Sequence, residues 1–278
     1  MSTPVPDGVA RVRATFEAIA DDYDQSGVPF AVPTAEGLVE ALAPRRGERV
    51  LDIGCGRGAV TSLLARAVLP AGAVDAIDLS PAMVEHTRAF LAAQGYDARA
   101  EVMDAGDPHL PQGAYDLIAS SLVLFFLPDP ATALARWVAL LAPGGRIGLA
   151  TFGEEHPVWT AVNALFRPWL PPAMLDPKAV GPDAPFASDA GVEALLRGAG
   201  AAGVHTVTRR VDVPWGDVDG WKAFSMSTGQ RAMWALVPAH ERDALEARAG
   251  ELLEDARDEA GRVVVWQDMR YTIGRVGG

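Results

Sequence analysis

Three glycines at alternate positions, Gly54, Gly56 and Gly58, interrupt the chain just after the short apolar run Val50-Leu51-Asp52-Ile53. The next residues, Ala59-Val60-Thr61-Ser62-Leu63-Leu64-Ala65, carry the apolar spacing of a helix, so the order reads as strand, tight turn, helix. A residue without Cβ tolerates positive φ and lets a ligand come close to the main chain. The loop also opens a helix whose first amides are unpaired, and in an open α/β sheet ligands lie beyond the strand ends. A flat or extended ligand is expected there.

The downstream spacing narrows the ligand. A dinucleotide fingerprint is G-x-G-x-x-G, whereas this loop is G-x-G-x-G, one residue shorter, which argues against a nicotinamide enzyme. The next predicted strand, Ala73 to Ile77, ends in Asp78, a carboxylate able to accept hydrogen bonds from both hydroxyls of a ribose. A third, Ala98 to Met103, ends in Asp104, placed for an exocyclic amine. With Asp52, three successive strand ends each carry an aspartate, the pattern of an adenosine-binding edge.

Five ordered segments carry a family resemblance: Asp52-Ile53-Gly54-Cys55-Gly56-Arg57-Gly58, Asp78-Leu79-Ser80-Pro81-Ala82-Met83, Met103-Asp104-Ala105, Tyr115-Asp116-Leu117-Ile118 and Leu141-Ala142-Pro143-Gly144-Gly145. Together they resemble the class I S-adenosylmethionine-dependent methyltransferases over roughly residues 35 to 152, closest to the small-molecule type of bacterial specialised metabolism. The resemblance implies an α/β fold, a Rossmann-like seven-stranded, mostly parallel sheet with helices on both faces, an antiparallel last strand and helical lid insertions. It implies S-adenosylmethionine as cofactor, with S-adenosylhomocysteine as product. It places Asp52, Gly54, Gly56, Gly58, Asp78, Leu79, Asp104, Ala105 and Ser120 around the cofactor, makes Met83 an apolar wall for the adenine, and lets Tyr23 of the N-terminal segment reach the methionine end.

Length and charge set further bounds. With 278 residues and 49% hydrophobic content the chain can bury one sizeable core with insertions, whereas two full domains would be a tight fit. A formal net charge of −12 with no block of Lys or Arg disfavours nucleic acid. No stretch approaches the roughly 20 apolar residues of a membrane span. One cysteine, Cys55, allows no internal disulfide, and the N-terminus lacks a signal-like run, so a cytoplasmic monomer or homodimer is expected. No Asp or His cluster beyond the cofactor set points to a metal. Cys55, with no nearby His, reads as a small side chain where bulk is excluded.

In chain order, residues 1 to 45 read as a helical cap. Val9, Val12, Phe16, Ile19 and Tyr23 share one helical face after the N-cap candidate Asp7, and a second helix spans Ala35 to Leu42. Residues 46 to 152 form the cofactor core, with Ser80-Pro81 and Asp129-Pro130 opening helices. Strand four is expected over Ala114 to Ser120 and strand five over Arg146 to Phe152; the run Leu122 to Leu127 between them is apolar enough to be buried. Two segments, 153 to 187 and 214 to 256, read as lid insertions flanking a helix from Ser188 and strand six, Val204 to Val213; strand seven is Val263 to Ile273.

The lid carries the candidate acceptor residues. Five of the seven tryptophans, Trp159, Trp169, Trp215, Trp221 and Trp234, fall in it; with Phe125 they are expected to wall an apolar pocket. Aromatic faces there would also stabilise a cation. His156, four residues after strand five, is the candidate general base, its unperturbed pKa of about 6.5 suiting proton abstraction, with Glu154 and Glu155 as neighbours. Arg231 interrupts an aromatic stretch and could grip an anionic group. The expected function is methylation of O or C on a small apolar or amphipathic metabolite. The alternatives are C-methylation of an isoprenoid diphosphate, held by Arg209, Arg210, Lys222 and Arg231, and a non-catalytic cofactor-binding partner or sensor.

Overall fold

The computed structural model describes residues 8–171 and 184–277. Seven strands, β1 (Arg49–Ile53), β2 (Ala73–Asp78), β3 (Arg99–Val102), β4 (Tyr115–Ser121), β5 (Leu141–Glu155), β6 (Ala202–Gly216) and β7 (Val263–Arg275), form one sheet in the order β3-β2-β1-β4-β5-β7-β6. Strands β1 to β5 pair in parallel, and β7 runs antiparallel to both β5 and β6. Central strands covered on both faces need apolar residues throughout, and Val50, Leu51 and Ile53 of β1 are fully buried.

The cap consists of helices α1 (Gly8–Ile19) and α2 (Ala31–Leu42). Helices α3 (Ala59–Val68) and α4 (Pro81–Ala93) follow β1 and β2, and α5 (Pro130–Ala139) and α7 (Asp189–Gly198) precede β5 and β6. On one face Leu38, Leu42, Leu64 and Val68 meet the sheet; on the other Leu134, Trp137, Val192 and Leu196 do so. Ser80, Asp129 and Ser188 cap α4, α5 and α7 by accepting the backbone N–H of Met83, Thr132 and Gly191.

The lid is built from α6 (Pro157–Ala164), α8 (Val218–Met226), α9 (Arg231–Trp234) and α10 (Arg242–Leu253). Its tryptophans depart from the expected pocket wall. Trp159, Trp215, Trp221 and Trp234 are 5%, 3%, 1% and 3% exposed. They pack in tilted and edge-to-face pairs against one another and against Phe166 and Phe224, with Trp159 and Trp215 ring centres 5.0 Å apart and Trp221 and Trp234 5.6 Å apart. With Val158, Val162, Leu245, Ala249 and Leu253 of the same cluster, they join the lid to the edge of the sheet. Trp169 is half-buried on the same cluster, and residues 172–183 of the first insertion lie outside the described residues.

Some boundaries shift. β5 starts at Leu141, so Pro143-Gly144-Gly145 lies inside the strand as an irregularity where its register with β4 breaks. β3 stops at Val102, leaving Asp104 two residues beyond the strand end. The run Leu122 to Leu127 buries only Leu124, and Phe126 is exposed, because the segment makes a single 3-10 turn at the open end of the sheet.

The cap is pinned to the core by one buried cation. Arg146 donates to the carbonyls of Leu42 and Ala43 at 2.6 and 2.9 Å, and to both carboxylate oxygens of Glu48 at 2.8 Å. It thereby satisfies carbonyls left without partners at the end of α2 while its charge is neutralised. Replacing Arg146 by Ala leaves the Leu42 and Ala43 carbonyls and the half-buried Glu48 carboxylate without this partner, and we expect a loss of about 3 kcal/mol, seen as a thermal midpoint lowered by roughly 5–10 °C. An unchanged midpoint would show that the anchor is dispensable.

Candidate active site

The glycine loop follows β1 directly. Gly54 and Gly58 have φ of 78° and 91°, and a Cβ on Gly54 would sit 2.2 Å from a methyl of Val123. Both positions therefore require glycine for conformation and for contact. Thr87 of α4 donates to the carbonyl of Gly56 at 2.7 Å, and Arg57 donates to the carbonyls of Ala20 and Asp21 at 2.6 and 3.0 Å, drawing the cap over the loop. Tyr23 lands against the loop, its ring 3.8 Å from where a Cβ on Gly56 would be. Burial, with Asp24 and Asp78 nearby, raises the Tyr23 pKa well above the ordinary phenol range, so the phenol is neutral and can donate a hydrogen bond.

Asp78 accepts the backbone N–H of Gly56 and of Ser80, each at 2.9 Å and each on a different oxygen. A carboxylate oxygen has room for a second donor, so both retain capacity for a pair of hydroxyls. Burial raises the Asp78 pKa, opposed by these N–H donors. Asp104 accepts the N–H of Gly106 with one oxygen at 2.7 Å. Leu79 is half-buried between Asp78 and Ser80. Met83 is buried beneath Ile19 and Ala20 of the cap, in a cluster that Phe16 and Tyr23 complete. Glu17 fastens α1 over this wall, accepting from the Ser80 hydroxyl at 2.5 Å.

Two residues of the expected cofactor set have other partners. The Ser120 hydroxyl donates to the carbonyl of Ile53 at 2.9 Å, tying β4 to β1. Ala105 is buried and its carbonyl accepts the Trp137 indole N–H at 2.7 Å.

Asp52 is 1% exposed; one oxygen accepts from Thr61 at 2.6 Å and the other, Oδ1, has no partner. Burial, with the nearby charge of Asp78, pushes its pKa up to about 7. An orphaned buried carboxylate oxygen at the start of a glycine loop fits a cofactor that brings positive charge and N–H donors, as S-adenosylmethionine does. The loop, Asp52, Asp78, Asp104, Met83 and Tyr23 therefore suit that group and are the residues that would hold it.

Beyond the glycine loop, the rings that gather near the ends of β4 and β5 are phenylalanines. Phe125 lies 4.7 Å from Phe126, 5.2 Å from Phe152 and 6.2 Å from Phe186, while Phe16 lies 5.3 Å from Phe126 and 6.0 Å from Tyr23. These half-buried and exposed rings stand at the carboxyl ends of β4 and β5, where an open α/β sheet binds its ligands. Phe126 and Phe152 are not among the sequence-based site candidates, and Phe16 is there only as part of a helical face; the position of Phe126 just after strand four and of Phe152 near the end of strand five is the signal the sequence offers.

His156 is not brought into this group. It caps α6, its Nδ1 accepting the N–H of Val158 at 3.2 Å, and its ring meets the edge of Trp266, which in turn lies under the guanidinium of Arg210. Burial, then Arg210, lowers its pKa. Arg231 pairs with Asp22 at 2.8 Å. His109 is exposed, and Cys55 is buried with its thiol pKa raised by burial. No cluster of three metal-binding side chains occurs among the described residues, and no described helix is long and apolar enough to cross a membrane.

Comparison with known proteins agrees with this geometry. A methyltransferase domain model matches residues 50–145. Nocamycin O-methyltransferase from Saccharothrix syringae is 32% identical over 279 residues, covering 94% of this chain and 97% of that one. Aklanonic acid methyltransferase DauC from Streptomyces sp. (strain C5) is 37% identical over 167 residues, 60% of this chain and 76% of that one. Among solved structures, YcgJ from Bacillus subtilis superposes with a TM-score of 0.60 at 16% identity, covering 88% of this chain and 99% of the other. Phosphoethanolamine N-methyltransferase 2 of Haemonchus contortus, in complex with S-adenosyl-L-methionine, does so with 0.61 at 14% identity, covering 100% and 62%; at such identities the likeness is one of fold. The chain belongs to the class I S-adenosylmethionine-dependent methyltransferases. It is an enzyme that uses S-adenosylmethionine and acts on a small molecule, and a catalytically silent binding protein is set aside.

The raised Asp52 pKa has a signed consequence for stability. The folded state holds the proton more tightly than the unfolded chain, so this carboxyl's contribution is fully present below its ordinary value of 3.8 and is lost as pH rises through about 7. Without ligand, Asp52→Asn is expected to raise the thermal midpoint over the native protein more at pH 8 than at pH 5. A difference that shrinks with rising pH would contradict the assignment.

Proposed function

We propose that the protein transfers the methyl group to an oxygen of a small, apolar or amphipathic, polyketide-like metabolite lying against Phe125, Phe126 and Phe152. The observation that carries the reading is the extent of similarity to nocamycin O-methyltransferase. It runs over 94% of the chain, through the acceptor side and lid as well as the glycine loop. Aklanonic acid methyltransferase, named for an organic acid, supports the same class. In this reading residues 1–45 are the cap, 46–152 the cofactor core, and the segments 153–187 and 214–256 the acceptor lid.

S-adenosylmethionine supplies a methyl carbon already activated by its positive sulfur. What the chain adds is alignment and dryness, which can lower the barrier by several kcal/mol. Asp78 and Asp104 orient the nucleoside end, Met83 packs against the adenine, and neutral Tyr23 offers a hydrogen bond at the methionine end. The phenylalanine rings hold the acceptor and exclude water. His156 holds the start of α6 and takes no proton, since its Nδ1 is engaged and its ring lies against Trp266. The tryptophans stabilise the lid and reach the acceptor through the rings they support, as Trp159 packs 6.1 Å from Phe30, itself 6.4 Å from Phe152.

The isoprenoid diphosphate reading is less well supported. The cations it would need are held in separate ion pairs on different elements: Arg209 with Glu40 of α2 and Arg210 with Asp268 of β7 at 2.8 Å, Lys222 with Glu246 of α10 at 2.5 Å, and Arg231 with Asp22 after α1. Successive Arg209 and Arg210 on one strand also point to opposite faces of the sheet.

The test is to incubate the protein with S-adenosylmethionine and phenolic, enolic and carboxylic polyketides, then locate the new methyl by NMR. The expected product is an O-methyl ether or ester, with Phe125→Ala raising KM about tenfold or more and changing kcat less. A methyl found only on carbon or nitrogen would overturn the reading.

A further inference from the structure

A cavity of about 220 Å³ lies at the seam between cap and lid, lined by Asp22, Gln25 and Ser26 from the segment after α1 and by Ala223, Met226, Ser227 and Arg231 from the lid. The seam is made by specific contacts. Asp24, held at a φ of 55°, donates its N–H to the carbonyl of Ser227 at 3.1 Å, and Arg231 reaches across to Asp22. Gln230 donates to Asn163 of α6 at 3.0 Å, which fixes the turn that presents Arg231.

The cavity adjoins the segment that carries Tyr23. Tyr23 sits between Asp22 and Asp24 in sequence, with its ring on the glycine loop, while the side chain of Asp22 lines the cavity. Phe16 bridges the two regions: its ring tip lies 4.0 Å from where a Cβ on Gly229 would be, and its other ring neighbours are Tyr23 and Phe126. Phe16 thus packs between the phenylalanine group and the Thr228–Gln230 turn that leads into Arg231.

We propose that this seam cavity binds a carboxylate arm of the acceptor, remote from the oxygen that is methylated, with Arg231 as the recognising cation and Asp22 as its stand-in partner. The inference rests on the reading of the protein as an O-methyltransferase of a small metabolite. A drug-sized ligand needs roughly 300–1,000 Å³, so the cavity is too small for a whole polycyclic acceptor and large enough for one polar arm. Its charged lining residues are Asp22 and Arg231 alone. Their bond uses one of the five guanidinium N–H donors, whereas a carboxylate can take two in parallel. Asp22 is 65% exposed on its side chain, and an exposed pair of this kind is worth about 0–1 kcal/mol, so its carboxylate turns to solvent at little cost when an anion arrives. The Ser26 hydroxyl and the Gln25 amide are further polar groups on the cavity wall.

The test is calorimetric titration of the full-length protein, saturated with S-adenosylhomocysteine, using three phenolic acids: 4-hydroxyphenylacetate, 4-hydroxycinnamate and 6-hydroxy-2-naphthoate, each against its own carboxamide. At least one acid is expected to bind about tenfold or more tightly than its amide. Arg231→Gln removes that preference and leaves amide binding within about twofold, while Asp22→Asn, which breaks the same ion pair, strengthens acid binding. If Arg231 served only to latch cap to lid, both variants would weaken binding alike, and that result overturns the proposal. So does the absence of any preference for acid over amide. Acid-selective binding without methyl transfer supports the cavity and counts against the O-methylation reading; methyl transfer indifferent to the carboxylate does the reverse.

Discussion

One turn of backbone, Gly54 to Gly58, is where three otherwise separate pieces of the molecule are docked. Gly54 admits Val123 from the segment after β4, Gly58 admits Thr87 of α4, whose hydroxyl would lie 3.3 Å from a Cβ placed there, and Arg57 holds the end of the cap by two carbonyls. The turn can do this because its glycines accept left-handed conformations and present no Cβ. Any side chain at Gly54 or Gly58 displaces a neighbour as well as straining the loop. The cofactor-binding edge and its cover thus depend on one short stretch, and so does the position of Tyr23.

Around that turn the protein keeps carboxylates poorly solvated. Asp52 and Asp78 are both raised in pKa chiefly by burial, and Asp52 leaves an oxygen without a partner. In a protein selected for stability alone such groups are costly. Their retention is intelligible where a ligand with positive charge and hydroxyl donors completes them, and membership in the S-adenosylmethionine-dependent methyltransferases agrees with that ligand.

The cofactor half was legible in the sequence because its signals are local. A glycine spacing, an aspartate at a strand end and a proline after an N-cap serine each report backbone geometry within a few residues, and Ser80 and Asp129 cap their helices as expected. The lid was not legible to the same degree. Tryptophan clustering marks apolar surface without saying which side of it faces a ligand, and here Trp159, Trp215, Trp221 and Trp234 face each other. His156 was read from its distance to strand five, but the backbone of α6 turned it toward Trp266. The phenylalanines that do gather at the strand ends come from four separate segments, and only long-range packing brings them together.

The central claim is that the glycine loop and Asp78 together hold S-adenosylmethionine. Calorimetric titration of the native protein and of Asp78→Ala with S-adenosylmethionine tests it most directly. Saturable binding by the native protein, weakened about tenfold or more in the variant, is the result predicted from the loss of a charge-assisted acceptor for two hydroxyls. Equal affinity in the two proteins, or binding of NADH in place of S-adenosylmethionine, would contradict it.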